Sequence, residues 1–163
     1  MKTIILGAGL VGGPMSLDLA QDSNLNVTVA DINESALQSL SEQNSNLKTT
    51  VADLSQTQTV KSLVQDYDLV LNAVPGFMGF QTLKAIIEAG KNVVDIAFCP
   101  ENTLELDELA KKNNVTAIVD CGVAPGMSNI LTGYVYYQMD KTDVALTYVG
   151  GLPKVRSWPY EYK

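Results

Sequence analysis

Short apolar runs of about five residues alternate with amphipathic stretches of about ten to fifteen, and that rhythm leaves few folds open. The runs are residues 3–6, 27–30, 47–51, 69–73, 92–96 and 116–119. Between them, helical spacing shows in Leu10, Pro14, Leu17 and Ala20, in Ala36, Leu37 and Leu40, and in Leu83, Ile86 and Ile87. Val60, Leu63 and Val64 mark a shorter helix, and Leu104, Leu106, Leu109 and Ala110 another. Asn33 is placed to cap a helix beginning at Glu34, and Gly90 sits where a left-handed C-terminal residue is wanted. The expectation is a series of βαβ units forming a mostly parallel six-stranded α/β sheet.

After Asp120 the texture changes. Gly122, Pro125 and Gly126 make a tight loop, a helix starts at Ser128 or Asn129 and runs through Tyr137, and another strand is expected over 144–149. A turn follows at 150–153, and in the last stretch Trp158, Tyr160 and Tyr162 alternate with other residues, a tail that needs a surface to cover, either a second domain or another subunit. We therefore expect a nucleotide-binding domain over 1–140, the beginning of a further domain over 141–163, and a homodimer.

A length of 163 residues suits one domain with a sizeable core and is short for separate cofactor and substrate domains. The net charge of −7 disfavours nucleic acid, whose phosphates call for clustered Lys and Arg. No apolar run approaches the roughly 18 residues of a membrane span. Residues 1–6 read as a first strand rather than a signal peptide, since glycines interrupt the run at once. With two cysteines and no histidine, neither a disulfide framework nor a zinc site is expected, and the cytoplasm is the simplest compartment. Without histidine, proton transfer falls to Asp, Glu, Lys, Tyr, Cys or water.

Gly7, Ala8, Gly9, Leu10, Val11 and Gly12 follow the first strand and open the first helix, the context in which a GxGxxG pattern acquires meaning. Gly7 permits the turn, Gly9 lets backbone approach a pyrophosphate, and Gly12 lets the helix pack closely on the sheet. Asp31 closes the second strand, where an acid accepts hydrogen bonds from the adenosine ribose and repels a 2′-phosphate. No Arg or Lys follows in Ile32, Asn33 and Glu34, so the site favours NAD, with NADP the second candidate. This is a Rossmann-type, doubly wound arrangement. Asp53 and Leu54, after the third strand, are candidates for the adenine, with a helix-capping role for Asp53 equally open. Asn72, Ala73, Val74 and Pro75, at the end of the fourth strand, are candidates to line the path to the nicotinamide.

The loops after the fifth and sixth strands fall on the same side of the sheet. Glu101 and Asp120 are candidate bases or amine ligands, although acids in such places more often cap helices or fix loops. Cys99 and Cys121 end neighbouring strands and would make a redox pair there, although buried cysteine more often packs as a small apolar residue. Residues 127–129 form either a substrate-facing helix start or a plain cap, and at least one of Tyr134, Tyr136 and Tyr137 is expected in the core.

With the glycine loop, Asp31, residues 72–75, 95–101 and 120–129, and the segment 150–153, the chain resembles the saccharopine dehydrogenase family, in particular its saccharopine reductase and lysine 6-dehydrogenase types. Residues 120–129 are the most specific part of the likeness. The resemblance implies hydride transfer between a nicotinamide cofactor and an amine-bearing carbon of lysine or saccharopine. It implies Glu101, Asp120 and Cys121 as catalytic candidates, and Gly122, Pro125, Gly126 and Asn129 as substrate-facing residues. Members continue into an α+β domain that contacts substrate, so it also implies that this chain is part of a longer enzyme and is inactive alone. Two rivals use similar loops: a nucleotide-sensing domain of an ion-transport regulator, and, ranked lower, an S-adenosylmethionine methyltransferase.

Overall fold

Runs rich in Val, Ile and Leu can be buried on both faces only if helices cover both sides of the sheet they form, and the computed structural model, which describes residues 1–149, shows that arrangement. The strands are β1 (Lys2–Leu6), β2 (Asn26–Asp31), β3 (Lys48–Val51), β4 (Leu69–Asn72), β5 (Asn92–Asp95) and β6 (Ala117–Ile118). They pair in the order β3-β2-β1-β4-β5-β6, every ladder parallel. This is the doubly wound order in which the connections reverse between β1 and β4.

The crossovers are carried by α1 (Gly12–Leu19), α2 (Glu34–Gln43), α3 (Thr57–Leu63), α4 (Gly76–Glu88) and α5 (Asp107–Lys112). Side chains alternate across each strand and so feed two cores. Ile5, Val27, Val29 and Leu71 pack with Leu37 and Leu40 of α2, whereas Ile4, Leu6, Val70 and Val93 pack with Val60 of α3 and with Leu83, Ile86 and Ile87 of α4. Helix ends follow local chemistry. Asn33 Oδ1 accepts the Ala36 N–H at 3.2 Å to cap α2, and Gly90 takes a φ of +72° just beyond α4.

These elements form a first compact unit, Met1–Asp120, and a second unit begins at Cys121. In the second, α6 spans Met127–Tyr137. The strand expected over 144–149 is not formed: those residues carry neither helix nor strand, and Val144, Leu146 and Tyr148 are exposed. A lone strand without a paired neighbour is not stable in water. The expected core tyrosine is also absent, since Tyr134, Tyr136 and Tyr137 are all exposed and α6 buries none of its residues. The expected turn at 150–153 and the aromatic tail lie outside the described residues. No helix among the described residues is long and apolar enough to cross a membrane.

Candidate functional site

At the end of β1 the chain turns through Gly7, with φ +108°, so close to the exit of β4 that a Cβ would lie 2.6 Å from the Ala73 carbonyl oxygen. Only glycine meets both demands. A Cβ on Gly12 would collide with the Gly7 carbonyl, which is what brings α1 down onto the sheet. Gly9 is different: a Cβ there would meet nothing within 4 Å. Above it is open space at the head of α1, where first-turn N–H groups lack helical partners and attract anions. Leu10 and Val11 are exposed beside it, and Ala8 is buried.

Asp31 stands at the end of β2 against this loop. Its Oδ2 accepts the Ala8 N–H at 2.7 Å and its Oδ1 accepts the Asn33 N–H at 2.8 Å. The carboxylate thus fixes the glycine loop to the β2–α2 turn, and each oxygen keeps acceptor capacity for a ribose hydroxyl. An open pyrophosphate path over Gly9 beside an acceptor-only carboxylate fits a dinucleotide. Asn33 commits its side-chain oxygen to Ala36 and Ser35, its N–H to Asp31 and its carbonyl to Leu37, which leaves its side-chain Nδ2 for the site.

Asp53 and Leu54 have different surroundings. Asp53 is exposed, and its Oδ1 accepts both Ser55 Oγ at 2.6 Å and Ser55 N–H at 3.0 Å, bonds that hold its carboxyl below the usual range. It closes a turn ahead of α3, whose N-cap is Gln56, rather than capping that helix. Leu54 is buried in the core, so only its backbone faces any ligand.

At the exit of β4, Val74 is buried, Pro75 is the exposed N-cap of α4, and the Ala73 N–H extends the ladder to Leu6 O at 2.9 Å. Asn72 is fully buried and donates from Nδ2 to Asp95 Oδ2 at 2.8 Å. Asp95 Oδ1 accepts the Ala97 N–H at 2.6 Å. Burial pushes the Asp95 carboxyl up to about 6, against the bonds from Asn72 and Ala97 and with a further push from Asp120. Sequence reasoning gave Asp95 no role, although an acid closing an apolar strand was the available signal.

The loop after β5 folds over this pair. Cys99 is half-buried, its thiol 3.8 Å from the Glu101 carbonyl oxygen, and burial together with Asp95, Glu101 and Asp120 pushes the thiol up. It is held as a thiol, the form poor at redox exchange. Glu101 and Asp120 are both exposed, and Asp120 takes a left-handed φ of +57°. Electrostatically, Asp95, Cys99, Glu101 and Asp120 form one acidic cluster at the carboxyl ends of β5 and β6.

In the second unit, Cys121 is exposed and leads into a closed loop. Gly122 O accepts Met127 N–H at 2.9 Å, and Asn129 Oδ1 accepts Gly126 N–H at 3.1 Å. Gly126 has φ +133°, and a Cβ on it would collide with Gly122. Gly122, Gly126 and Asn129 therefore build the loop, with Pro125 half-buried within it.

Comparison with known proteins adds three findings. Residues 3–118 match the family model described as the saccharopine dehydrogenase NADP binding domain. Among curated proteins, the chain is 28% identical over 160 residues to saccharopine dehydrogenase [NADP(+), L-glutamate-forming] of Pyricularia oryzae, covering 96% of this chain and 35% of that protein. It is 27% identical over 162 residues to the mitochondrial alpha-aminoadipic semialdehyde synthase of Mus musculus, covering 93% of this chain and 17% of that protein. The chain thus spans 35% or less of the length of these relatives. Among solved structures, the apo saccharopine dehydrogenase (L-Glu forming) of Saccharomyces cerevisiae superposes with a TM-score of 0.74 at 24% identity, over 84% of this chain and 31% of that one. Biliverdin reductase from Synechocystis shares the fold with a TM-score of 0.62 at 17% identity, over 84% of this chain and 42% of that one.

Proposed function

Because the chain belongs to the saccharopine dehydrogenase family, matched through its NADP binding domain, we propose that it is the dinucleotide-binding part of an oxidoreductase acting on the carbon–nitrogen bond of saccharopine or the amine of lysine. The observation that carries this reading is the Gly9 opening beside the Asp31 carboxylate. We assign NAD as the preferred cofactor, with NADP, which the matched family model names, as the second candidate, because a carboxylate at the ribose repels a 2′-phosphate and residues 32–38 carry no Lys or Arg.

When bound, the nicotinamide accepts or donates the hydride. The chain's own residues position it and handle protons. The backbone of residues 7–12 holds the pyrophosphate, Asp31 and the Asn33 side-chain amide take the adenosine ribose, Asp53 and the Leu54 backbone border the adenine, and the backbone of 72–75 lines the path to the ring. Glu101 and Asp120 are the candidate acceptors for the proton of the amine or of an attacking water. Cys121 is the third catalytic candidate, and Gly122, Pro125, Gly126 and Asn129 are assigned to the substrate side. Residues 1–140 are assigned to nucleotide binding and 141–163 to the start of the substrate and dimerisation domain, in a cytoplasmic homodimer.

Calorimetric titration with NAD and NADP, followed by an NADH-formation assay of the longest natural protein containing this sequence with saccharopine and with lysine, tests the assignment. Dinucleotide binding together with turnover of one amine is expected. Binding without turnover of either would favour the sensor reading, and no binding would refute both.

A further inference from the structure

Asn72 and Asp95 face each other in register across β4 and β5, and both are essentially buried. They close the two strands next to the switch point on the side away from Asp31. In a doubly wound sheet each half takes one half of the dinucleotide, so with Asp31 at the adenosine side this is the nicotinamide side.

The hydrogen bonds of the pair are incomplete in an informative way. Asn72 Nδ2 serves Asp95 Oδ2 at 2.8 Å and reaches Gly79 O at 3.5 Å, whereas Asn72 Oδ1 is buried with no partner. An ionised Asp95, which can only accept, requires this orientation and leaves that oxygen orphaned. A protonated Asp95 has an O–H to donate, and a half-turn of the Asn72 amide presents the orphan oxygen to it in exchange for the Nδ2 bonds to Asp95 and Gly79. The pair therefore has two hydrogen-bonded states that differ by one proton.

We propose that Asn72 and Asp95 form a positioning pair beneath the nicotinamide end of the site, in which Asp95 releases its proton to solvent when the cationic oxidised ring binds and retains it beside the neutral reduced ring. The inference rests on the dinucleotide reading above. The groups acting on Asp95 are its own burial, the Asn72 amide, the Ala97 N–H and the Asp120 carboxylate, with no cation among them. From the loop after β5 come the Cys99 thiol and, through it, Glu101. From α4 the contact is the Gly79 carbonyl, while Lys84 acts on Glu88. A positively charged ring supplies the counter-charge that this acidic cluster lacks. The chain has no histidine to obscure proton release near pH 6.

The test is calorimetric titration of the chain with NAD⁺ and with NADH at pH values of about 5, 6 and 7.5, in buffers of differing ionisation enthalpy. NADP is avoided because its phosphate titrates in the same range. NAD⁺ affinity is expected to rise about tenfold from the lowest to the highest pH, with proton release at the middle value, while NADH affinity stays within about twofold. Asp95→Asn should make the two profiles parallel. Parallel profiles in the unaltered chain, or a difference that survives Asp95→Asn, would overturn the inference while leaving dinucleotide binding intact. The proton release is measured on the unaltered chain, so a variant that fails to fold does not remove the test. Failure of both forms to bind at every pH would overturn the dinucleotide reading along with it.

Discussion

In the proposed site, Asp31 ties affinity to cofactor choice, because the oxygens assigned to the ribose also hold the Ala8 and Asn33 N–H groups. NAD should therefore bind at least about tenfold more tightly than NADP, the phosphate meeting a fixed negative charge without a cation nearby. Asp31→Ser combined with Ile32→Arg should narrow or reverse that ratio. It should also cost NAD about tenfold, since a charge-assisted bond to the glycine loop goes with the carboxylate. Calorimetric titration showing that the unaltered chain prefers NADP would refute the assignment. Two glycines of the same loop separate binding from folding. Gly9→Val places its side chain in open space, so the thermal midpoint should hold while dinucleotide binding is lost. Gly12→Val drives a methyl into the Gly7 carbonyl and should lower the midpoint itself. If Gly9→Val retains full NAD affinity, the loop is only a turn.

Among the elements, what sequence periodicity could reach was decided by burial on both faces of a strand. β1, β2, β4 and β5 were visible because each buries apolar residues, whereas the edge strands β3 and β6 bury none of theirs and showed only as apolar or β-branched runs, and β6 was overread at both ends, at 116 and at 119. The strand expected over 144–149 had apolar residues but no partner, and pattern alone does not reveal a missing neighbour. In the site, glycine spacing announced the loop, whereas the Asn72–Asp95 bond joins residues that become neighbours only when β4 and β5 align. Close approaches between elements are equally invisible in the sequence. The start of α4 rides against the loop after β5, so that a Cβ on Gly76 would collide with the Phe98 carbonyl, whereas Gly133 within α6 has nothing within 4 Å of a Cβ. Alanine at the two positions should then act with opposite sign. Gly76→Ala should cost about 1–3 kcal/mol by overpacking against backbone. Gly133→Ala should gain about 0.5–1 kcal/mol through helix propensity. Urea unfolding midpoints that move in the same direction for both would contradict the packing described.

For the molecule as a whole, the buried Asp95 makes stability depend on pH in the opposite sense to the chain's other perturbed acids. Asp53, held down by Ser55, and Glu88, held down by Lys61, contribute stability that is present above their ordinary range and lost as pH falls through their lowered values. Asp95 is raised from 3.8 to about 6, so the folded chain binds a proton that the unfolded chain has already released. Its contribution is complete below about pH 4 and disappears as pH rises through about 6. Two pH units of displacement correspond to a loss on the order of 3 kcal/mol across that window, or about 6–12 °C in thermal midpoint for a chain of this size. Asp95→Asn keeps an acceptor for the Ala97 N–H and a donor for the Asn72 oxygen, and it carries no proton to lose. Its stability should pass through the same window without that decline, so the unaltered protein should be favoured relative to the variant at about pH 4 and lose ground steadily up to about pH 6.5. Urea titrations at a series of pH values read this difference directly, with the Asp53 and Glu88 contributions cancelling because both proteins share them. Stability curves that run parallel between pH 4 and 6.5 would mean that Asp95 titrates as an ordinary surface acid, and that its burial against Asn72 carries no cost of ionisation.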